Sequence, residues 1–233
     1  MVSESLAAVV ANYIRPYMNP DRHSEFRTGD SYPIASLYLD SRDLRLCRES
    51  LEGHKNRFKL RIRRYTDDPD YPLFFEIKRR VDRVIIKSRA RVLAHSVADL
   101  LMGSTPMPQD GSRENAALGQ FLQYYALVGG RPILLVRYQR QACESRFQDS
   151  VRITFDRKIG FKVCSQPEVS LNGTGWRPWP TEGVVLEIKF TGRCPAWVVR
   201  MIQDLDLPAQ SVSKYVRSVL AASAGGLLSA GIL

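Results

Sequence analysis

The stretch from Arg57 to Tyr65 reads RFKLRIRRY. Successive side chains of a β-strand point to opposite faces, so this run turns Arg57, Lys59, Arg61 and Arg63 to one side and Phe58, Leu60 and Ile62 to the other. The same division recurs along the chain. LFFEIKRR (73–80) places Glu76, Lys78 and Arg80 on one side, and RVIIKSRARVL (83–93) places Arg83, Lys87, Arg89 and Arg91 there. In ILLVRYQRQACES (133–145) Tyr138 and Arg140 share a side; in VRITFD (151–156) Arg152 shares one with Thr154 and Asp156. In VVLEIKF (184–190) Glu187 and Lys189 lie opposite Leu186, Ile188 and Phe190. Strands of this kind restrict the chain to an antiparallel architecture with one apolar and one charged face.

The sign of the charge is the second constraint. A solvated sheet face mixes acids and bases to avoid like-charge neighbours. Here Arg and Lys dominate these faces, and the whole chain carries a formal charge of +10. A concentrated positive field is costly unless an anion neutralises it. An α+β fold with a closed antiparallel β-barrel resolves the conflict: charged faces line a wet lumen and apolar faces pack outward against helices. Such a lumen suits a linear polyanion, because Arg offers forked contacts to phosphate oxygens and Lys a mobile point charge.

The remaining sequence supplies the helices. Leu6, Val9, Val10, Tyr13 and Ile14 recur at helical spacing in Ser5–Met18, with Pro16 bending or ending the helix. SLYLD (36–40) reads as a strand, followed by a short helix between Ser41 and Gly53. RENAALGQFLQYYALV (113–128) is a helix stopped by Gly129-Gly130, and PAWVVRMIQDL and SVSKYVRSVLAAS close the chain as two more. The last frays into a small-residue tail reaching Leu233. No repeat or linker divides the 233 residues, which are read as one domain.

Composition narrows the function further. The four cysteines lack CxxC pairing and imply a reducing, cytoplasmic setting, while His23, His54 and His95 complete no zinc pattern. No uninterrupted apolar run is long enough to span a bilayer. A nucleic-acid module is disfavoured because Phe58, Phe74 and Phe155 read as apolar-parity residues, away from the cations, and no helix-turn-helix, RNP or zinc-finger pattern occurs. Trp176, Trp179 and Trp197 are read as packing residues. No GxxxxGK[ST] run occurs, which excludes a P-loop kinase.

Taken in order, YPIASLYLDS, LRLCRESLEGHKNRFKLRIRRY, FFEIKRRVDRVIIKSRARV, VRYQR, VRITFD, VLEIKF and SVSKY resemble the VTC (vacuolar transporter chaperone) domain, the polyphosphate polymerase branch of the triphosphate tunnel metalloenzymes. The resemblance implies a tunnel, ATP as phosphoryl donor, polyphosphate as product, and Mn2+ or Mg2+ as cofactor. It assigns catalytic cations to Arg61, Arg63, Lys78, Lys87, Arg140, Arg152 and Lys214. Substrate contacts fall on Lys59, Arg89, Arg91, Tyr138, Lys189 and Ser213, and metal ligation on Glu187 and, secondarily, Glu76. The family's first strand, of the form RxExKY, has no counterpart in MVSESLAAVV, so either the true start lies upstream or this chain lacks one tunnel wall and its lysine.

These residue types suit phosphoryl transfer, which asks a protein mainly for positioning and for neutralisation of charge on the transferring group. Two other readings use the same equipment: a tunnel-type triphosphatase, and a non-catalytic module that binds polyphosphate or inositol phosphates.

Overall fold

A computed structural model describes residues 1–21, 23, 31–104, 111–147 and 150–228. Its elements run in the order α1 (Glu4–Ile14), β1 (Met18–Pro20), β2 (Tyr32–Asp40), α2 (Arg45–Leu51), β3 (Arg57–Arg64), β4 (Leu73–Val81), β5 (Val84–Val92), α3 (Val97–Met102), α4 (Arg113–Leu127), β6 (Arg131–Ser145), β7 (Arg152–Val163), β8 (Arg177–Pro178), β9 (Val185–Lys189), α5 (Ala196–Asp204) and α6 (Lys214–Ala224). Residues 229–233, the end of the small-residue tail, lie outside the described residues. The chain forms two compact units. The larger comprises Ile34–Arg137, Gly160–Trp179 and Lys214–Leu233, and the smaller Met1–Pro33, Tyr138–Ile159 and Pro180–Ser213.

In the larger unit β5, β4, β3, β2, β6, β7 and β8 lie side by side in that order. The β2–β3, β3–β4 and β4–β5 pairs are antiparallel. Their apolar parity forms the core: Leu60, Ile62, Phe75, Ile77 and Ala90 are buried against Leu100 of α3 and Leu118 and Phe121 of α4. The Phe75 and Phe121 rings meet edge to face with centroids 4.8 Å apart, and Phe58 meets Tyr124 in the same way at 4.6 Å. Each such buried side chain contributes roughly 1.5–3 kcal/mol of apolar burial. The Gly129-Gly130 stop of α4 has two separate causes. Gly129 adopts φ +58, and a Cβ on Gly130 would lie 2.3 Å from the Tyr125 ring.

In the smaller unit β1 and β9 pair antiparallel with β6 and β7 respectively. Ser3 caps α1 by accepting a hydrogen bond from the Leu6 amide, at 3.1 Å. Val10 and Ile14 of α1, Ile153 and Phe155 of β7, and Val198 and Met201 of α5 form its core. Tyr17 stacks on Trp197 at 4.5 Å, so this tryptophan packs as read from the sequence. Trp179 is also buried and donates to Ser218 at 2.8 Å in the larger unit.

The apolar faces do pack against helices, but the expectation of a closed barrel is corrected. The strand order is open, and β5 pairs with β4 alone among the described strands. The composition of β5 gives the reason: Lys87, Arg89 and Arg91 crowd an edge where like charges oppose the addition of another strand. The N-terminal segment expected to lack a strand contributes one isolated antiparallel bridge, Val2 to Val184, before α1.

Candidate functional site

The register of the larger unit converts the strand parity into rungs. Lys59 lies opposite Lys78, which lies opposite Lys87, giving three lysines on adjacent strands. The next rung reads Tyr38, Arg61, Glu76 and Arg89, and the one after it Ser36, Arg63, Phe74 and Arg91. Neighbouring strands are about 4.8 Å apart, so these side chains form one continuous basic field.

Glu76 is the hub of the middle rung. Arg61 Nε donates to its Oε2 at 2.6 Å, Arg63 Nε lies 3.7 Å from the same oxygen, and Arg89 Nε lies 3.5 Å from Oε1. Burial works to raise the Glu76 carboxyl, but the three guanidiniums outweigh it and hold the group below the usual carboxylate range. Arg63 is itself buried and lies within hydrogen-bond reach of Ser36 Oγ at 3.4 Å and the Tyr65 hydroxyl at 3.5 Å. The Arg89 guanidinium sits 3.6 Å above the Phe74 ring. Phe74 therefore belongs to the cationic face, a correction to its reading as an apolar-parity residue.

The lysine rung shows the cost of concentrating like charge. Burial, then the charges of Lys78 and Arg57, push Lys59 down to about 8. Lys78 and Lys87 are exposed. Arg91 departs from the field, because its guanidinium makes a two-pronged contact with Glu114 in the first turn of α4, at 2.8 and 2.9 Å.

Lys214 is half-buried at the start of α6, beside a fixed anchor. The next residue, Tyr215, donates to the fully buried Asp40 carboxylate at 2.6 Å, and the Ser41, Leu46 and Cys47 amides donate to the same carboxylate. Asp40 thus ties α6 and the start of α2 to the end of β2. Burial raises its carboxyl despite these four donors, and burial with the neighbouring Asp40 charge pushes the Cys47 thiol to about 12. Tyr215 also stacks on Tyr38, with ring centroids 4.7 Å apart. Ser213 precedes α6 and is half-buried in the smaller unit.

The smaller unit treats its cations differently. Arg140 makes a bidentate pair with the fully buried Asp156, both contacts 2.7 Å, and its guanidinium lies 5.3 Å from the Tyr138 ring. Arg152 contacts Asp21 at 2.7 Å and also pairs with Glu144. Tyr32 donates to Asp21 at 3.1 Å; burial and the Asp21 charge raise the phenol well above its ordinary value. Along β7 and β9, Arg152 neighbours Lys189 and Thr154 neighbours Glu187. Glu187 lies 3.0 Å from Lys189 Nζ. Arg140 and Arg152, expected to meet phosphate, are already engaged by carboxylates.

With this geometry in place, the comparisons decide the family. The sequence matches the VTC domain over residues 1–223. The chain belongs to the VTC domain family. No curated protein matches it. The VTC domain described here is similar in fold to a Bacillus halodurans protein provisionally assigned as an adenylate cyclase. Their TM-score is 0.51 at 12% identity, over 91% of this chain and 90% of the other. The PH1819 protein of Pyrococcus horikoshii gives a TM-score of 0.43 at 12% identity, over 91% and 92%.

The family implies a divalent cation, and the donor set limits how one could be held. Among the described residues no three His, Cys, Asp or Glu side chains form a cluster suited to a metal. Glu187, the ligand expected from the sequence, would be a single carboxylate, so a hard cation there would need phosphate oxygens and water to complete its shell, the way Mg2+ is commonly bound. The buried Thr154 hydroxyl makes no hydrogen bond among the described residues and sits on the strand position next to Glu187, offering a second oxygen there.

Asp156, Asp21 and Asp40 are the buried carboxylates beside the expected site residues that sequence reasoning missed. Asp156 was visible on the parity of Arg152, but its pairing with Arg140 depends on the β6–β7 register, which no local pattern encodes.

Proposed function

We propose that this VTC domain is a phosphotransferase that adds the γ-phosphoryl group of ATP to the end of a polyphosphate chain. The observation that carries the reading is the three-lysine rung of Lys59, Lys78 and Lys87 beside the rung in which Arg61 and Arg89 flank Glu76. That face concentrates positive charge on three adjacent strands. Arg63, fixed by burial beside Ser36 and Tyr65, supplies a pre-oriented guanidinium, while the exposed Lys78 and Lys87 follow a moving chain.

In the proposed reaction, a terminal oxygen of the polyphosphate attacks the γ-phosphorus in line. A new P–O bond forms as the bond to the β-phosphate oxygen breaks, and ADP leaves. Arg61, Arg63 and Arg89 stabilise the charge developing on the transferring group. In the smaller unit, Glu187 with Thr154 would hold Mn2+ or Mg2+, which would neutralise phosphate charge when bound. Lys214 is held beside the Tyr215–Asp40 anchor and adds a further cation for the polyanion.

A second reading rests on a specific observation. Arg140 and Arg152 are committed to carboxylates, and Glu187 is paired with Lys189, as in a domain that binds polyphosphate or an inositol phosphate without turning it over. Purified protein with ATP and Mn2+ or Mg2+ separates the readings. A ladder of long polyphosphate that Glu187→Gln abolishes supports the transferase. Free phosphate without a ladder indicates a triphosphatase, and tight polyphosphate binding without turnover indicates the binding module.

A further inference from the structure

The β4–β5 hairpin carries a feature that phosphate chemistry does not use. Val84, Ile85 and Ile86 at its tip are 61%, 50% and 48% exposed, an uninterrupted aliphatic triplet. Val81 pairs with Val84, Arg80 with Ile85, Arg79 with Ile86 and Lys78 with Lys87. Alternation therefore sends Ile85 to the charged face and Val84 and Ile86 to the opposite face, so aliphatic side chains leave the tip on both sides. Arg79, Arg80, Arg83 and Lys87 are exposed immediately around them. Arg57 lies opposite Arg80, and burial followed by the Arg80 charge lowers it. Arg80 Nε donates to the Asp82 carbonyl at 2.7 Å, and the Arg57 guanidinium to the His54 carbonyl; carbonyl partners orient these cations without neutralising them. The turn is fixed by Asp82 at φ 52, whose amide donates to Asn56 Oδ1 at 3.2 Å. Asp82 is the single carboxylate between Arg79 and Lys87.

We propose that this hairpin tip docks on an anionic lipid surface, with Val84, Ile85 and Ile86 in the headgroup boundary and Arg79, Arg80 and Arg83 on the lipid phosphates and carboxylates. A soluble polyanion would engage the cations and leave the aliphatic triplet in water. A folded protein partner covers one face of a hairpin, whereas a lipid interface accepts a tip from both sides, with the long cationic side chains at headgroup level. Among the described residues no helix is long and apolar enough to cross a membrane.

The inference does not depend on the phosphotransfer reading. The full chain is sedimented with sucrose-loaded vesicles of phosphatidylcholine alone or of equal phosphatidylcholine and phosphatidylserine. The wild type is expected to bind the anionic vesicles and not the neutral ones. The exposed triple variant Val84→Ser/Ile85→Ser/Ile86→Ser, with an unchanged circular dichroism spectrum, is expected to lose about tenfold or more of that binding. An Ile85→Trp variant should gain fluorescence quenched by brominated lipids beyond the wild-type level. Undiminished binding by the triple variant, absence of that quenching, or no wild-type binding to anionic vesicles would overturn the proposal. So would a lipid-free dimer that the triple variant abolishes, which would assign the tip to a second copy of the chain.

Discussion

Replacing Glu76 by Gln removes the carboxylate shared by Arg61, Arg63 and Arg89 while keeping its size. The Glu76, Arg61 and Arg63 side chains are 12%, 26% and 10% exposed, and Arg89 is 46% exposed. Removing one partner of a fully buried pair costs about 3–5 kcal/mol, and an exposed pair contributes about 1 kcal/mol at most. The expected loss in between is about 2–3 kcal/mol, borne mainly by Arg61 and Arg63. For a chain of this size that is a fall in Tm of about 5–10 °C.

Polyphosphate should reverse the effect. Sodium tripolyphosphate at a hundredfold excess over its Kd stabilises a protein by about 2.7 kcal/mol, and in Glu76→Gln the neutral amide no longer competes for the arginines. Thermal melts of both proteins, with and without tripolyphosphate, should show a gap that narrows with ligand. The pH dependence has a definite sign. The folded Glu76 carboxyl lies below its ordinary 4.5, so its stabilisation is present above that value and is lost as pH falls through the depressed one. The gap between the two proteins should therefore close in acid. Equal melting temperatures at neutral pH without ligand, or a gap that tripolyphosphate leaves untouched, would refute the reasoning.

Lys59, lowered to about 8 from 10.5, disfavours its own proton in the folded state, so its contribution to stability rises between those pH values; Lys59→Met should flatten that rise in pH-dependent denaturation. An anion bound to Lys59 lifts the group again, so calorimetry near pH 9 in buffers of different ionisation enthalpy should show proton uptake with tripolyphosphate in the wild type and less in Lys59→Met. Arg140→Ala removes the bidentate partner of buried Asp156 and should cost about 3–5 kcal/mol in urea unfolding. Tyr215→Phe removes a donor from buried Asp40 and should cost about 1.5–3 kcal/mol by the same measurement, loosening the start of α6.

Much of this was legible where local pattern and tertiary outcome agree. The alternation in 57–65 and 73–80 gave strands with the correct charged parity, and the helix over 113–128 ended at its glycine pair. Short pieces were not legible: β1 and β8, of three and two residues, carry too little pattern to read. The strand seen at 151–156 continues to Val163 through Asp156, Lys158 and Gly160, poor strand formers held there by pairing of Gly160 and Phe161 with Pro178 and Arg177. The SLYLD strand starts earlier, at Tyr32, across Pro33. For the site, parity located Arg61, Arg63, Lys59, Lys78 and Lys87 on the charged face, but only the register shows that three lysines share one rung. The neutralising acids Asp21 and Asp156 were unreadable because they meet their arginines across strands or across more than a hundred residues of chain.

The most direct measurement is a crystal structure of the protein with tripolyphosphate. The account predicts phosphate groups across the Lys59, Lys78 and Lys87 rung, with the Arg61 and Arg63 guanidiniums on their oxygens. A ligand seated elsewhere, with those five side chains as they stand without it, would contradict the claim that this cationic face is built for a chain of phosphates.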